Sequence, residues 1–430
     1  MKHVIFQILL SFLFLLMGCG SHAPNDKKVH IRLSSWGDAE EAAILTGLIG
    51  EFEKKNPGVV VELERTPVNE YVTKLLTEFA GHSAPDVVFT GAPLVTRFYA
   101  AEVLEPLNEY LKNDPEIKLT DFYSATVEGL TFNGKIMALP RDIACICVLY
   151  YNKDLFDKAG VLYPKDDWTW DQFLQTVKKL TVKNKDGKVS QWGFTDDWIS
   201  PENWIFTAGG GWVDDWKTPN QFTLQNPRVV KGIQMRADLI NRYRVSPAPS
   251  VLTAMGGMGT SDLFLGGKAA LFLSGIWKTP AIRKAATFHW DCTMFPKNGK
   301  QRRWVSGAYA AYGILRASAH KPEAWKLVKF LSGKDAAVGF AQTGLAQPAL
   351  KEVAESSAFL DTQPPLNKKM LLKAADSLIF EPRATNWSEI RDGLIGPELD
   401  RVWNGSESAQ EAVDKLVEIL KKHPLRTKTN

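Results

Sequence analysis

NGKIMALPRDIACICVLYYNKDLFDKAG, residues 133–160, decides how this chain is organised. Asn133 and Gly134 sit between two short extended pieces. That is a type I′ hairpin signal, because both central residues of such a turn take positive φ. CICVLYYN (145–152) then reads as a strand. Cys145 and Cys147 alternate on it, so both face one way and do not readily bridge each other.

Upstream, strands alternate with helices. VHIRLSSW (29–36) alternates as a strand does and ends at Gly37. Ile44, Leu45, Leu48, Ile49 and Phe52 recur at helical spacing, and the helix stops at Asn56-Pro57-Gly58. VVVELE (59–64) is a second strand. Tyr71, Val72, Leu75, Leu76 and Phe79 mark a second helix, and VVFT (87–90) a third strand. The β-α-β-α-β order predicts a mainly parallel sheet covered by helices. Downstream, Thr169 and Gln172 form a capping box opening WDQFLQTVKKL. Asn226-Pro227 opens a helix over 227–243, and KAALFLSGIW (268–277) is a buried strand ending on a tryptophan. Residues 322–331 and 386–422 are helical. Asp-Asp-Trp occurs three times, at 166–168, 196–198 and 214–216, at spacings that match no repeat, so these are three similar loops.

The amino end predicts a location. Residues 4–17, VIFQILLSFLFLLM, follow Lys2 and are too short to span a bilayer, which takes about 20 residues. They fit the apolar part of a secretory signal. The run closes on Leu16-Met17-Gly18-Cys19, which resembles a bacterial lipobox; a cysteine there becomes a lipid-bearing N-terminus. Residues 1–18 are therefore expected to be a lipoprotein signal and 19–28 a tether. The plainer alternative is an ordinary cleaved signal with an incidental cysteine. Roughly 410 residues remain, enough for two or three domains. Net charge is only +4 and no long basic run occurs, so nothing points to nucleic acid. Cys145, Cys147 and Cys292 lack histidine neighbours at ligand spacing, so no metal site is expected. They read as buried thiols, with a bridge from Cys292 to either of the others left open.

The order of signals resembles the extracellular solute-binding proteins of bacterial ABC importers, and among them the sugar-binding family that includes maltose-binding protein. The matching pieces are Trp36-Gly37, FEKKNPGVVVE (52–62), YVTKLLTEFAGHSAPDVVF (71–89), the 133–160 stretch, GGKAALFLSGIW (266–277) and PEAWKLVKFLSG (322–333). The resemblance implies an α/β, two-lobed, periplasmic-binding-protein-like fold. Its lobes are hinge-linked, with the ligand cleft between them. Carried onto this chain, lobe one is 29–139 plus 293–358, and lobe two is 140–292 plus 359–430. It also implies a carbohydrate ligand, the permease subunits of an ABC transporter as partners, a membrane reached only through the lipid, a monomeric receptor and no cofactor.

A sugar needs flat apolar contact for its C–H faces and charged or polar partners for its hydroxyls. Trp36 lies at a strand's carboxyl end, where parallel sheets hold ligands; its alternative is a core indole. Asp38 follows it and is equally a helix N-cap. Asp86 precedes the third strand, as hydroxyl acceptor or loop cap. Asp142, after Pro140 near the implied crossover, is an acceptor that Arg141 could instead neutralise. Trp204 stands before a Gly-rich loop. Tyr309, in WVSGAYAAYG, offers a ring and a hydroxyl. Trp277 matches a sugar-stacking position of the family, and Arg383 and Trp387 fall where the family often draws a late contact.

Two other classes compete. An anchored glycoside hydrolase needs two carboxylates about 5–10 Å apart, and Asp196, Asp197, Asp214 and Asp215 lie near tryptophans. A receptor for another solute, such as a phosphorylated polyol, would favour several Arg and Lys in the cleft. Among catalytic motifs, no G-x-S-x-G, H-E-x-x-H, P-loop or CxxC occurs.

Overall fold

A computed structural model describes residues 28–92, 94–197, 201–256, 259–300 and 304–427. The signal segment and Cys19 lie outside the described residues.

Two sheets organise the chain. The first contains β1 (Val29–Trp36), β2 (Val59–Thr66) and β3 (Val87–Gly91), all parallel. After them comes a two-stranded hairpin of β4 (Thr131–Phe132) and β5 (Lys135–Ile136). Asn133 and Gly134 turn it with φ of 49° and 73°, as a type I′ turn requires. β6 (Leu139–Cys145) is followed by β7 (Val148–Asn152), β8 (Val182–Lys183) and β9 (Val189–Asp196). Then come β10 (Ala269–Ser274), β11 (Trp290–Met294), β12 (Val305–Ile314) and β13 (Leu378–Ile379). The first sheet runs β13-β12-β3-β1-β2, with β6 also paired to β12. The second runs β11-β7-β10-β9-β8.

The helices form where the sequence supplies stripes and caps. In α1 (Ala39–Lys55), Leu45, Leu48, Ile49 and Phe52 are buried, and Asp38 accepts the Glu41 N–H. Glu40 and Glu41 in its first turn, with Lys54 and Lys55 in its last, suit the helix dipole. α2 (Val68–Ala80) lies between β2 and β3. The capping box at Thr169 and Gln172 opens α3 (Trp170–Leu180). α4 (Pro201–Thr207) and α5 (Pro227–Ala237) belong to lobe two, and α6 (Thr279–Ala285) follows β10. α7 (Lys321–Ser332) and α8 (Lys334–Thr343) cover the first sheet's side, and α9 (Ala409–Lys421) closes the chain. The 227–243 helix ends sooner than its pattern suggests: α5 stops at Ala237 and a π-turn covers Asp238–Arg242.

The crossings between sheets fall later than the expected boundaries at 140 and 293. β6 stays in the first sheet through Cys145, so only Ile146 and Cys147 separate it from β7 in the second. CICVLYYN is therefore two strands, parted in the middle of its apolar run. Likewise β11, through Met294, belongs to the second sheet and β12 to the first. An unbroken apolar run satisfies a buried strand in either sheet, so composition does not mark the switch. Cys145, Cys147 and Cys292 are buried free thiols.

Asn203 of α4 ties the two crossings together. Its amide donates to the Ile146 carbonyl and accepts the Ser306 N–H at 2.8 Å, while Ile146 N–H reaches the Ser306 carbonyl at 2.9 Å. The amide is fully buried. Asn203→Ala strands one backbone donor and one acceptor away from water. It is expected to lower unfolding free energy by about 1–3 kcal/mol or more, read as the midpoint of urea unfolding. An unchanged midpoint would contradict the bridging role.

Candidate functional site

The candidate site is built from the carboxyl ends of strands β1 and β10. β1 ends at Trp36, which is half-buried. Its ring packs on Phe89 at 4.3 Å and on Tyr71 at 5.1 Å, edge-on to the latter. β10 ends at Ser274, and the turn after it presents Trp277, also half-buried. Both indoles pack against the one lobe-one cluster that contains Leu45, Phe89 and Phe340. An indole that follows a strand of the second sheet thus packs on the same cluster as an indole that ends a strand of the first. The turn that carries Trp277 is fixed from below: Tyr150, fully buried, donates to the Gly275 carbonyl at 3.1 Å and meets Thr279 Oγ1 at 2.8 Å. The indole lies so close over Gly275 that a Cβ there would stand 2.0 Å from it.

A charged group lies beside Trp36. Arg141 donates through Nη1 to Glu41 at 3.0 Å and through Nε to Asp142 at 2.5 Å. Its guanidinium lies 4.2 Å over the Phe89 ring and 5.0 Å from that of Phe340. Burial works against the charge on Arg141, but Asp142, Tyr312 and Glu41 together hold its pKa above the ordinary value. Burial raises the Glu41 carboxyl, with Arg141 opposing. Asp38 is exposed and caps the helix on which Glu41 sits, accepting the Glu41 N–H at 3.0 Å. Gly37, at φ +148°, leaves room for that carboxylate; a Cβ would lie 2.7 Å from Glu41 Oε2. Trp36, Asp38 and Asp142 are therefore brought to one region, and Trp277 packs on the same apolar cluster as Trp36. Glu41 escaped the sequence reading, because a Glu in a helix's first turn looks like ordinary dipole pairing.

Five other candidates sit elsewhere. Asp86 precedes β3, at the amino edge of the sheet, and accepts the Arg32 N–H at 3.0 Å and the Ser318 hydroxyl at 2.5 Å. Trp204 is fully buried in lobe two among Trp170, Phe173, Phe194 and Phe295. Trp387 is buried with Ile205, Phe206 and Val402 in a helical cluster. The Tyr309 hydroxyl is buried and donates to the Gly129 carbonyl at 3.0 Å. Arg383 lies 4.0 Å over Phe132, donates to the carbonyls of Thr131 and Glu128, and bonds the Trp216 carbonyl through its own N–H. A large side chain that matches a ligand position by order alone is as readily a core member; burial separates the two, and burial is not written in local sequence.

The carboxylates of the hydrolase alternative hold structure. Asp196 takes both Arg236 Nε, at 2.7 Å, and Nη2, at 3.0 Å. Asp214 accepts the N–H groups of Asp215, Asn220 and Gln221, bonds that hold its pKa below the usual range, and Asp215 accepts those of Lys217 and Thr218. Asp197 is half-buried and accepts the Ser274 hydroxyl at 3.0 Å. Among the described residues no cluster of His, Cys, Asp or Glu could hold a metal ion.

A second polar group belongs to lobe two. Arg391 pairs with Glu202 at 3.3 Å and Glu381 at 3.5 Å, and the Trp212 indole N–H reaches Glu202 at 3.4 Å. Burial pushes the Glu381 carboxyl up to about 7, against the pull of Arg391. The folded carboxyl thus sits above its ordinary value of 4.5. Its contribution to stability is full below that value and is lost as pH rises toward 7. Glu381→Gln, which stays neutral, is expected to flatten the fall in melting temperature between pH 5 and pH 7.5. An identical profile in the variant would assign that fall to other groups.

Comparison with known proteins follows this geometry. The sequence profile described as bacterial extracellular solute-binding protein matches residues 36–338. A Listeria monocytogenes ABC substrate-binding protein, solved in complex with cycloalternan, superposes with a TM-score of 0.83 at 25% identity. The match covers 92% of this chain and 99% of that one. A galactooligosaccharide-binding protein of Bacillus subtilis is 24% identical over 427 residues, covering 96% of this chain and 92% of its own. A sn-glycerol-3-phosphate-binding periplasmic protein of Pectobacterium atrosepticum is also 24% identical, over 432 residues, covering 94% of this chain and 92% of its own. Relatives of equal identity thus carry names for different solutes, and the side chains of the site must choose among them.

Proposed function

Because the chain belongs to the family of bacterial extracellular solute-binding proteins, we propose that it is the receptor of an ABC importer. It holds a sugar or oligosaccharide between its two lobes and hands it unaltered to the permease. The observation that carries this reading is the packing of two half-buried indoles, Trp36 and Trp277, from opposite lobes on one lobe-one cluster, with carboxylates on the Trp36 side. Two indoles give a pyranose its flat contacts, and carboxylates accept its hydroxyls in charge-assisted hydrogen bonds. Asp38, exposed, and Glu41, half-buried, fill that role, while Asp142, buried against Arg141, holds that cation in place.

A phosphorylated polyol fits less well. The buried guanidinium at this place, Arg141, is already shared by two carboxylates, so a phosphate would meet an acidic neighbourhood. Hydrolysis fits less well too, since Asp196, Asp214 and Asp215 are committed to an arginine or to turn N–H groups. In this reading Cys19 bears the lipid, the receptor works as a monomer outside the cytoplasm, and the membrane is touched only through that anchor and the permease. Asp86, Trp204, Tyr309, Arg383 and Trp387 frame the lobes instead of touching the solute.

The test is a thermal-shift screen of mono- and oligosaccharides. Ligand at 100 to 1,000 times its dissociation constant stabilises by about 3–4 kcal/mol. Trp277→Ala is expected to abolish the shift while the unliganded melting temperature stays near that of the parent. A full shift in that variant removes Trp277 from the site. Gly37→Ala is expected to weaken binding about tenfold or more, because it displaces the Glu41 carboxylate and strains a positive-φ position. Calorimetric titration with the hit from the screen reads it, and parental affinity would show that Glu41 does not face the solute.

A further inference from the structure

We propose a second carbohydrate-binding platform on the outer side of lobe two, centred on Trp170 and independent of the interlobe cleft. The stretch Asp166-Asp-Trp-Thr-Trp170 holds two indoles of opposite fate. Trp168 is buried and its ring N–H is tied to the Met294 carbonyl at 2.8 Å. Trp170 is left half-exposed at the opening of α3. It stands edge-to-face on Trp204 at 4.5 Å and tilts over Phe173 at 5.3 Å, so the core holds it rigid from beneath.

Over it opens a cavity of 460 Å³ bounded by α3, α5 and the first turn of α9. That is large enough for a sugar unit or two. Met235 extends the apolar floor, Tyr243 closes one side with Lys178 Nζ 4.0 Å from its ring, and Lys231, Gln234, Asp238 and Gln410 form the rim. Charges of both signs meet at the rim, Lys231 standing apart and Asp238 paired with Arg242 at 3.7 Å, so no single-sign field is aimed at a ligand. Two of its members are pre-oriented: Gln234 Nε2 donates to Asp238 at 2.7 Å, and Gln410 Nε2 to Asp414 at 2.9 Å. Each bond turns the amide so that its carbonyl oxygen remains to accept a hydroxyl. A fixed indole under a ring of amides and balanced charges is the lining an uncharged polyol needs. A smaller cavity, 330 Å³ between Asp166, Asp167, Met294, Lys297, Lys373 and Ser377, has no aromatic wall. A platform outside the cleft would hold a long glycan on the receptor while the cleft takes its end.

Affinity electrophoresis of the mature chain through gels containing soluble dextrin, galactan or mannan tests this. The Trp277→Ala background is used, so that the cleft does not contribute. Retardation by at least one of the three is expected to persist there. It should fall about tenfold on adding Trp170→Leu, which keeps an apolar contact for Trp204, and to weaken on adding Gln234→Leu, an exposed position that leaves the core intact. Far-ultraviolet circular dichroism checks the fold of each variant. Absence of retardation in all three gels, or retardation unmoved by both added changes, overturns the platform. A persisting thermal shift with small oligosaccharides in Trp277→Ala would instead count against the cleft assignment, leaving the platform to be read from the gels.

Discussion

A guanidinium held out of water is the constraint around which lobe one is arranged. Arg141 cannot shed its proton, so it must be surrounded by charge and π-density wherever the chain places it. Glu41 comes from the first helix, Asp142 from the neighbouring position in β6, and Phe89 and Phe340 supply the ring faces. Four segments distant in sequence therefore share one geometry. The first helix is pinned at its N-terminal turn, beside Trp36, by the same cation that orients two carboxylates. Removing Arg141 would leave two carboxylates without their shared counter-charge in a poorly solvated place, which is costlier than never burying them.

Much of this architecture was legible in the sequence. The alternation of VHIRLSSW, VVVELE and VVFT with amphipathic helices specified the three parallel strands β1 to β3, though not β12, which joins them antiparallel, and Asn133-Gly134 specified a separate hairpin down to the sign of φ. The capping box at Thr169 did the same for its helix. These are local signals whose cause lies within a few residues. The points at which the chain changes lobes were not legible. Both Cys145 and Val148 are buried strand residues, and nothing in CICVLYY distinguishes a strand of one sheet from a strand of the next.

The candidate site was legible in the same partial way. Trp36 and Trp277 follow strand ends, a topological cue that needs only element order. Trp204 and Trp387 had similar credentials in sequence, yet the core absorbs both. Glu41 and Glu202 carry no motif at all; they become visible only when a distant arginine, Arg141 or Arg391, is found against them. Long-range ion pairing of this kind is a property of the packed molecule, and short windows of sequence do not encode it.

The Asn203 bridge has a mechanical consequence. With Ile146 and Cys147 as the whole of one connection, bonded flat against the start of the other, the joint has almost no slack. Such a coupling would oppose lateral slip of one sheet past the other and leave bending about these two links as the easier motion. The two halves of the receptor would then trace one reproducible arc, and a partner that recognises their mutual orientation would need to read only one angle.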